Sequence, residues 1–262
     1  MKKVLTIAGS DIFAGGGLQA DLATFSQLDT AGLAAVTCLT TVREQFELHP
    51  IAASLVGEQL ASLAAVDLAA IKLGLLLTEE IVMETKKFLE TKSVPIVTDP
   101  VFAFKESKNW REDGLARAIV TELLPLTTIT TPNLAEAEIL AEMSITSTAD
   151  MKKAVVKIRH LGPEVVVIKG GDRLPGKQAI DLIYDGTFTF LEEEKLPQKT
   201  VNGAGCTFAA AIAAEIAKGA TPKTAVIFAK QFVYGAIRQG YFVSEGFGNV
   251  WPNGFKKEGE SL

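Results

Sequence analysis

The chain holds two cysteines, Cys38 and Cys206, among 262 residues. Two thiols make no disulfide framework, so a packed core has to hold the fold, and a reducing compartment is the expected setting. Dense Lys/Arg blocks are also lacking, and the formal charge is −5, from 26 basic and 31 acidic residues. That balance argues against nucleic acid as a partner. No stretch approaches the ~18 uninterrupted apolar residues of a membrane span, so no membrane partner is expected either. Met1-Lys2-Lys3-Val4-Leu5 resembles the charged start of a signal peptide, but Asp11 interrupts after a few apolar residues and the segment reads as a first strand. Histidine is scarce too: neither His49 nor His160 sits in a candidate site loop, and neither is assigned a catalytic role. A cytoplasmic globular protein is expected.

What is present is apolar and glycine-rich. At 48% apolar and 22% charged residues, the chain is long enough for one large core, and a single domain over 1–262 is the default. Short β-branched runs (Val4–Gly9, Ala34–Val42, Ala70–Gly74, Pro95–Thr98, Thr127–Thr131, Val165–Gly170) alternate with helical patterns. The helices read as Leu18–Leu28, Glu58–Val66, Glu79–Thr91, Asp113–Leu124, Leu134–Met143, Asp150–Leu161, Gly205–Lys218 and Pro222–Gln239. Almost wholly apolar strands between helices predict an α/β three-layer αβα sandwich with a mostly parallel central sheet. Asp181–Phe190 breaks the pattern. It reads as an antiparallel edge hairpin turning at Asp185-Gly186. Ligands of such sheets sit beyond the carboxyl ends of the strands.

The most informative segment is Asn202-Gly203-Ala204-Gly205-Cys206-Thr207-Phe208, where a loop becomes a small-residue helix. The N–H groups of Gly203, Ala204, Gly205 and Cys206 can converge there, helped by the helix dipole, to make an anion hole. The same field is expected to lower the Cys206 pKa and favour thiolate. A glycine turn with a small core cysteine behind it is the plainer alternative.

Other loops supply further chemistry. Ala8-Gly9-Ser10-Asp11-Ile12-Phe13-Ala14-Gly15-Gly16-Gly17 resembles a phosphate cradle, but no Gly-Lys-Ser/Thr follows, so it is not a P-loop. Its glycines permit backbone to approach a flat ligand, and Asp21 can accept from a substrate hydroxyl or simply complement the helix dipole. Asp99-Pro100-Val101 places a carboxylate at a strand end. Asn133 and Glu136, three apart in Thr131-Pro132-Asn133-Leu134-Ala135-Glu136, offer oxygen ligands for hydrated magnesium, or a capping box. Lys169-Gly170-Gly171 gives a lysine with flexible neighbours at another strand end, within reach of phosphate oxygens or simply solvated.

Taken in order, these segments resemble the ribokinase superfamily from end to end, and specifically its vitamin-kinase branch of pyridoxal kinases and hydroxymethylpyrimidine kinases. Gly-Ala-Gly-Cys is the specific element: Cys206 stands where sugar kinases of the superfamily have an aspartate base. The resemblance implies ATP-dependent phosphorylation of a hydroxymethyl group on a small heteroaromatic ring. It implies that Cys206, the Gly203–Gly205 anion hole and Lys169 act on the reacting phosphoryl group. By the same match Lys169, Gly170, Gly171, Asp172, Arg173, Asp181 and Lys230 lie around the nucleotide. Gly9, Gly16, Asp21, Val42, Leu75, Val101, Phe104 and Cys206 line the substrate pocket. Magnesium is implied near Glu136, Asp99 and Asn133, a monovalent cation is possible, and homodimers are usual among such relatives.

Pyridoxal, pyridoxine and pyridoxamine are the expected substrates. Hydroxymethylpyrimidine kinases place a glutamine, able to read an aminopyrimidine edge, where this chain has Val42. Hydroxymethylpyrimidine (phosphate) kinase is the alternative, and a catalytically weak nucleotide- or vitamin-binding protein a third reading. Phe104 stands where related pyridoxal kinases often have a second cysteine, and Asn202 where they commonly have histidine. The polar run from Phe102 to Arg111 reads as a flap over the site, with Phe102 and Phe104 facing the substrate ring, or as an ordinary surface loop whose two aromatics anchor it to the core. Cys38, in mid-strand, is expected in the core.

Overall fold

The computed structural model describes residues 1–43, 46–102 and 114–254. The expected flap, Phe104 included, therefore lies outside the described residues from 103 onward, while Phe102 is buried in the core.

Burial along each strand dictates the layers. Val4, Val97, Val165 and Val167 pack into one core, whereas Leu5, Ile7, Ile96, Val166 and Ile168 pack into another, because successive strand residues point to opposite faces. A sheet apolar on both faces has to be covered on both. Its described strands are β1 (Lys3–Ser10), β2 (Ala31–Val42), β3 (Phe46–Pro50), β4 (Ala70–Leu73), β5 (Ile96–Thr98), β6 (Ile129–Thr130), β7 (Val165–Lys169), β8 (Gln178–Tyr184) and β9 (Phe188–Glu194). They lie in the order β3-β2-β1-β4-β5-β6-β7-β8-β9. The run from β2 to β7 is parallel. β3, β8 and β9 pair antiparallel at the two margins.

Helices α2 (Ala53–Ser62), α3 (Glu79–Leu89), α4 (Gly114–Ala118), α5 (Leu134–Ala141) and α6 (Thr148–Arg159) cover one face. The other carries α1 (Gly17–Gln27), α7 (Ala204–Ala217) and α8 (Pro222–Arg238). Ala209, Ala210, Ala211, Ala213 and Ala214 are fully buried. Such small side chains let α7 lie close against the sheet, α1 and α8. The β8–β9 hairpin turns through Gly186, whose φ of 104° needs no β-carbon.

Four elements depart from expectation. The second helix runs over Ala53–Ser62, not Glu58–Val66. Val56 and Leu60 form its buried stripe, and its N-cap, Ala52, makes no side-chain capping bond that would mark the start. β3 was not anticipated, since Phe46-Glu47-Leu48-His49-Pro50 is a largely exposed edge strand with mixed polarity. The same holds for the small hairpin β10 (Tyr241–Ser244) and β11 (Phe247–Asn249), which pair only with each other as a sheet. With β1, β4, β5, β6 and β7 parallel, the loops after them gather at one edge, and the start of α7 meets them there.

Candidate active site

α7 begins on Gly203, at φ 83°, a left-handed conformation that favours glycine. A β-carbon on Gly203 would collide with the Gly15 carbonyl, so the helix start and the glycine-rich loop touch backbone to backbone. The Ala204 N–H donates to Val201 O at 3.1 Å. This leaves the Gly203, Gly205 and Cys206 N–H groups without an acceptor among the described residues, one donor fewer than the four expected. Sγ of Cys206 accepts from the Gly17 N–H at 3.4 Å.

The expected lowering of the Cys206 pKa is reversed. Burial pushes the Cys206 thiol up to about 11; Lys72 and the Gly17 N–H oppose this, while Asp21 and Asp99 add to it. Desolvation and two nearby carboxylates thus outweigh the helix end. Cys38, buried in β2 against Gly9, is raised by burial as well and belongs to the core.

Below Gly205 lies a lysine–carboxylate pair. Lys169, at the end of β7, donates to Asp99 Oδ1 at 2.7 Å, and Thr131 Oγ1 donates to the same oxygen at 3.1 Å. Burial works against the Lys169 charge, but Asp99 and Glu136 hold its ammonium above the usual range. Asn133 and Glu136 do form a capping box: the Glu136 N–H donates to Asn133 Oδ1 at 3.0 Å, and the Asn133 N–H to Glu136 Oε2 at 2.7 Å. The cap aims Glu136 at the same cavity as Asp99 and Lys169. Burial lifts the Glu136 carboxyl to about 7, with Lys169 opposing and Asp99 adding.

Two adjoining cavities open here. The larger, about 370 Å³, has Asp99, Asn133, Glu136, Lys169, Gly205 and Cys206 in its wall, and Gly16 opposite them. The smaller, about 230 Å³, is walled by Gly9, Leu75, Val101, Lys72 and Cys206. Cys206 and Phe46 belong to both. Asp11 fixes the glycine-rich loop by accepting from the Gly16 N–H at 2.8 Å and the Phe13 N–H at 3.0 Å. Asn249 Nδ2 donates to Phe13 O at 2.8 Å, tying β11 to the same loop.

Some predicted residues stand behind the walls. Asp181 is buried, accepting from the Gly170 N–H at 2.9 Å and from Lys230 Nζ at 2.8 Å. The pair therefore braces the loop after β7 and is absent from the wall of either cavity. Arg173 reaches Glu138 at 3.4 Å, and the Asp172 carbonyl accepts from Lys195 at 2.8 Å. Asp21 is fully buried and reaches the smaller cavity only through Lys72, to which it is bonded at 2.8 Å. Val42 closes β2 opposite Phe46. Lys72, Asp11, Phe46 and Asn249 were not foreseen in the site. A lysine inside an apolar strand is the one sequence signal that could have singled out Lys72.

The donor set suits a magnesium ion that arrives with phosphates. Two close carboxylates, one of them pushed toward protonation by burial and its neighbour, gain from a hard cation. The Asn133 amide oxygen is engaged in the cap, so Asp99 and Glu136 are the donors that fit.

Comparison with known proteins agrees with this geometry. Residues 11–251 match the phosphomethylpyrimidine kinase family. The chain is similar to the pyridoxine kinase of Bacillus subtilis, 39% identical over 92% of each chain. It is 34% identical to the hydroxymethylpyrimidine/phosphomethylpyrimidine kinase of the same organism, over 97% of this chain and 96% of the other. Its fold superposes on the pyridoxal kinase from Staphylococcus aureus in complex with AMP-PCP and pyridoxal with a TM-score of 0.92 at 40% identity, covering 98% of this chain and 96% of that one. The glycine-rich loop, the lysine–carboxylate pair and the cysteine-bearing helix start thus sit in a chain that belongs to the phosphomethylpyrimidine kinase family.

Proposed function

We propose that the protein is an ATP-dependent kinase that phosphorylates the hydroxymethyl group of pyridoxal, pyridoxine and pyridoxamine. The observation that carries this reading is the convergence at Gly205: a β-carbon there would stand 3.2 Å from Lys169 Nζ and 3.6 Å from Asp99 Oδ2. Helix start, ammonium and carboxylate thus meet at one point beside Cys206. Phosphoryl transfer asks a protein mainly for positioning and charge stabilisation, and these are the groups for it.

In this reading the larger cavity takes the phosphates and the smaller takes the ring. The Gly205 and Cys206 N–H groups, with Lys169, hold oxygens of the transferring phosphoryl group. Magnesium, held by Asp99 and Glu136 when bound, neutralises charge on the phosphates. Cys206, shared by both cavities, faces the hydroxymethyl oxygen and takes its proton. Gly170 and Gly171, braced through Asp181 and Lys230, border the nucleotide with Asp172 and Arg173. Gly9, Leu75 and Val101 pack on the ring. The reading extends to a homodimer in the cytoplasm, and light scattering tests the dimer.

Support for a pyridine substrate comes from the likeness to the pyridoxal kinase from Staphylococcus aureus that binds AMP-PCP and pyridoxal, and from Val42. The family description and the similarity to a hydroxymethylpyrimidine/phosphomethylpyrimidine kinase favour a second reading, in thiamine synthesis. Steady-state kinetics of the purified protein with magnesium, ATP and each acceptor decide between them. Faster turnover of pyridoxal is expected, and equal or faster turnover of hydroxymethylpyrimidine would reject the preference.

A further inference from the structure

β4 reads Ala70-Ile71-Lys72-Leu73, and all four residues are fully buried, the lysine included. Register places Lys72 beside Thr6 of β1 and Val97 of β5. Val97 packs in the core under α1 and α7, so Lys72 faces those helices. There its Nζ donates to Asp21 Oδ2 at 2.8 Å, an oxygen that also accepts from Thr6 Oγ1 at 2.6 Å. A glycine makes room for the head group, since a β-carbon at Gly74 would stand 2.7 Å from Nζ.

The pair is incomplete. An ammonium has three N–H bonds, and Asp21 is the one acceptor for Lys72 among the described residues. Oδ1 of Asp21 is buried without a partner among the described residues. Buried charges are ordinarily closed by hydrogen bonds on every side, because an open one forfeits its solvation. Lys72 instead borders the smaller cavity with Gly9, Leu75, Val101 and Cys206.

We propose that Lys72 is a substrate-binding residue whose ammonium donates to the ionised 3-oxygen of the hydroxypyridine ring, with Asp21 as its positioning residue. The proposal rests on the vitamin B6 reading above. With the hydroxymethyl group at Cys206, the ring enters the cavity that Lys72 borders. The 3-oxygen is the anionic substituent that pyridoxal, pyridoxine and pyridoxamine share, whereas their 4-substituents are an aldehyde, an alcohol and an amine. A cation reading position 4 would repel the amine form; one reading position 3 serves all three. The contact is a charge-assisted hydrogen bond from an ammonium that is itself fully buried, where such bonds are strongest. Burial alone would favour the neutral amine, but the Asp21 carboxylate bonded to it, with Asp99 adding, holds Lys72 protonated, so it donates and does not attack the aldehyde.

The test compares pyridoxal with 3-deoxypyridoxal, which keeps the aldehyde and the hydroxymethyl group. For the wild-type enzyme, kcat/KM is expected to be about 10- to 100-fold lower for the deoxy compound. Equal use of both overturns the proposal, and this comparison needs no variant to fold. The double variant K72M/D21N removes the pair without leaving a buried ion. It is expected to lose a similar factor for pyridoxal and little for the deoxy compound; an equal loss for both assigns the pair to structure alone. Borohydride reduction of the wild-type enzyme with pyridoxal should leave no adduct on Lys72, and an adduct there overturns the donor role. Turnover of hydroxymethylpyrimidine with neither pyridine would reject the substrate reading itself, and the Lys72 contact with it.

Discussion

Lys169 Nζ donates to Asp99 Oδ1 at 2.7 Å directly against the bare Cα of Gly205. A methyl group at 205 would crowd the ammonium, at 3.2 Å, and come into ordinary contact with the carboxylate, at 3.6 Å. Gly205 is in the first turn of α7, where alanine is the better helix former by about 1 kcal/mol. Stability and activity should therefore part. Gly205→Ala is expected to keep or raise the melting temperature while kcat falls by roughly tenfold or more, because the charged groups shift out of line. A melt and steady-state kinetics on one preparation check this, and a lowered melting temperature would mean that the methyl strains the fold instead.

Cys206 gives the prediction with a pH sign. Burial pushes its thiol up to about 11, so near neutrality the basic form is a small fraction. If the thiolate takes the hydroxymethyl proton, kcat should climb as pH rises, by up to about tenfold per unit between roughly pH 7 and 9. Cys206→Asp replaces the thiol with a group already ionised there, and its profile should be flat with partial activity. Cys206→Ala should lower kcat by about 10²–10⁴-fold and leave the KM for ATP nearly unchanged. A flat wild-type profile would confine Cys206 to orienting the acceptor.

Asn133 and Glu136 share a cap but not a task. Removing the cap oxygen in Asn133→Ala should cost about 1 kcal/mol of stability and leave the magnesium requirement near normal. Glu136→Gln keeps a side chain that suits a capping box but loses the carboxylate beside Asp99. It should melt close to wild type and need more magnesium for half-maximal activity. A magnesium titration and a melt on each variant separate the two roles. An unchanged requirement in Glu136→Gln would leave Glu136 as a cap only.

The parts of this molecule legible in its sequence are those with local causes. Val165–Lys169 is apolar on both faces and announced a covered parallel strand; Gly203 and Gly205 around Ala204 announced a helix opened for close approach. Other features depend on distant partners. Asp21 reads in sequence as an acceptor for a substrate hydroxyl or a complement to the helix dipole, because nothing nearby indicates Lys72, 51 residues away and buried with it. The Cys206 pKa went the other way from expectation because helix position is visible in sequence, whereas desolvation and the Asp21 and Asp99 carboxylates are tertiary. β3 escaped notice since an edge strand exposes most of its residues and lacks the alternation that a buried face imposes.

Val42 tests substrate choice at that same edge. It is the last residue of β2, paired with Phe46, which is in the wall of both cavities. Period-two alternation sets it on the face of Thr40, which borders the smaller cavity. Valine offers no hydrogen bond there, and an aminopyrimidine that buries its amine against it forfeits about 1–3 kcal/mol. A glutamine, the residue that the resemblance places here in hydroxymethylpyrimidine kinases, would supply an amide oxygen for that amine. Val42→Gln is therefore expected to raise the ratio of kcat/KM for hydroxymethylpyrimidine over pyridoxal by about 10- to 100-fold, with the KM for ATP unmoved. Competition between the two acceptors in one reaction, with both phosphorylated products quantified, measures that ratio directly. If it stays at the wild-type value, position 42 does not select the ring, and the choice falls to residues in the wall of the smaller cavity, Phe46, Leu48, Lys72 and Leu75 among them.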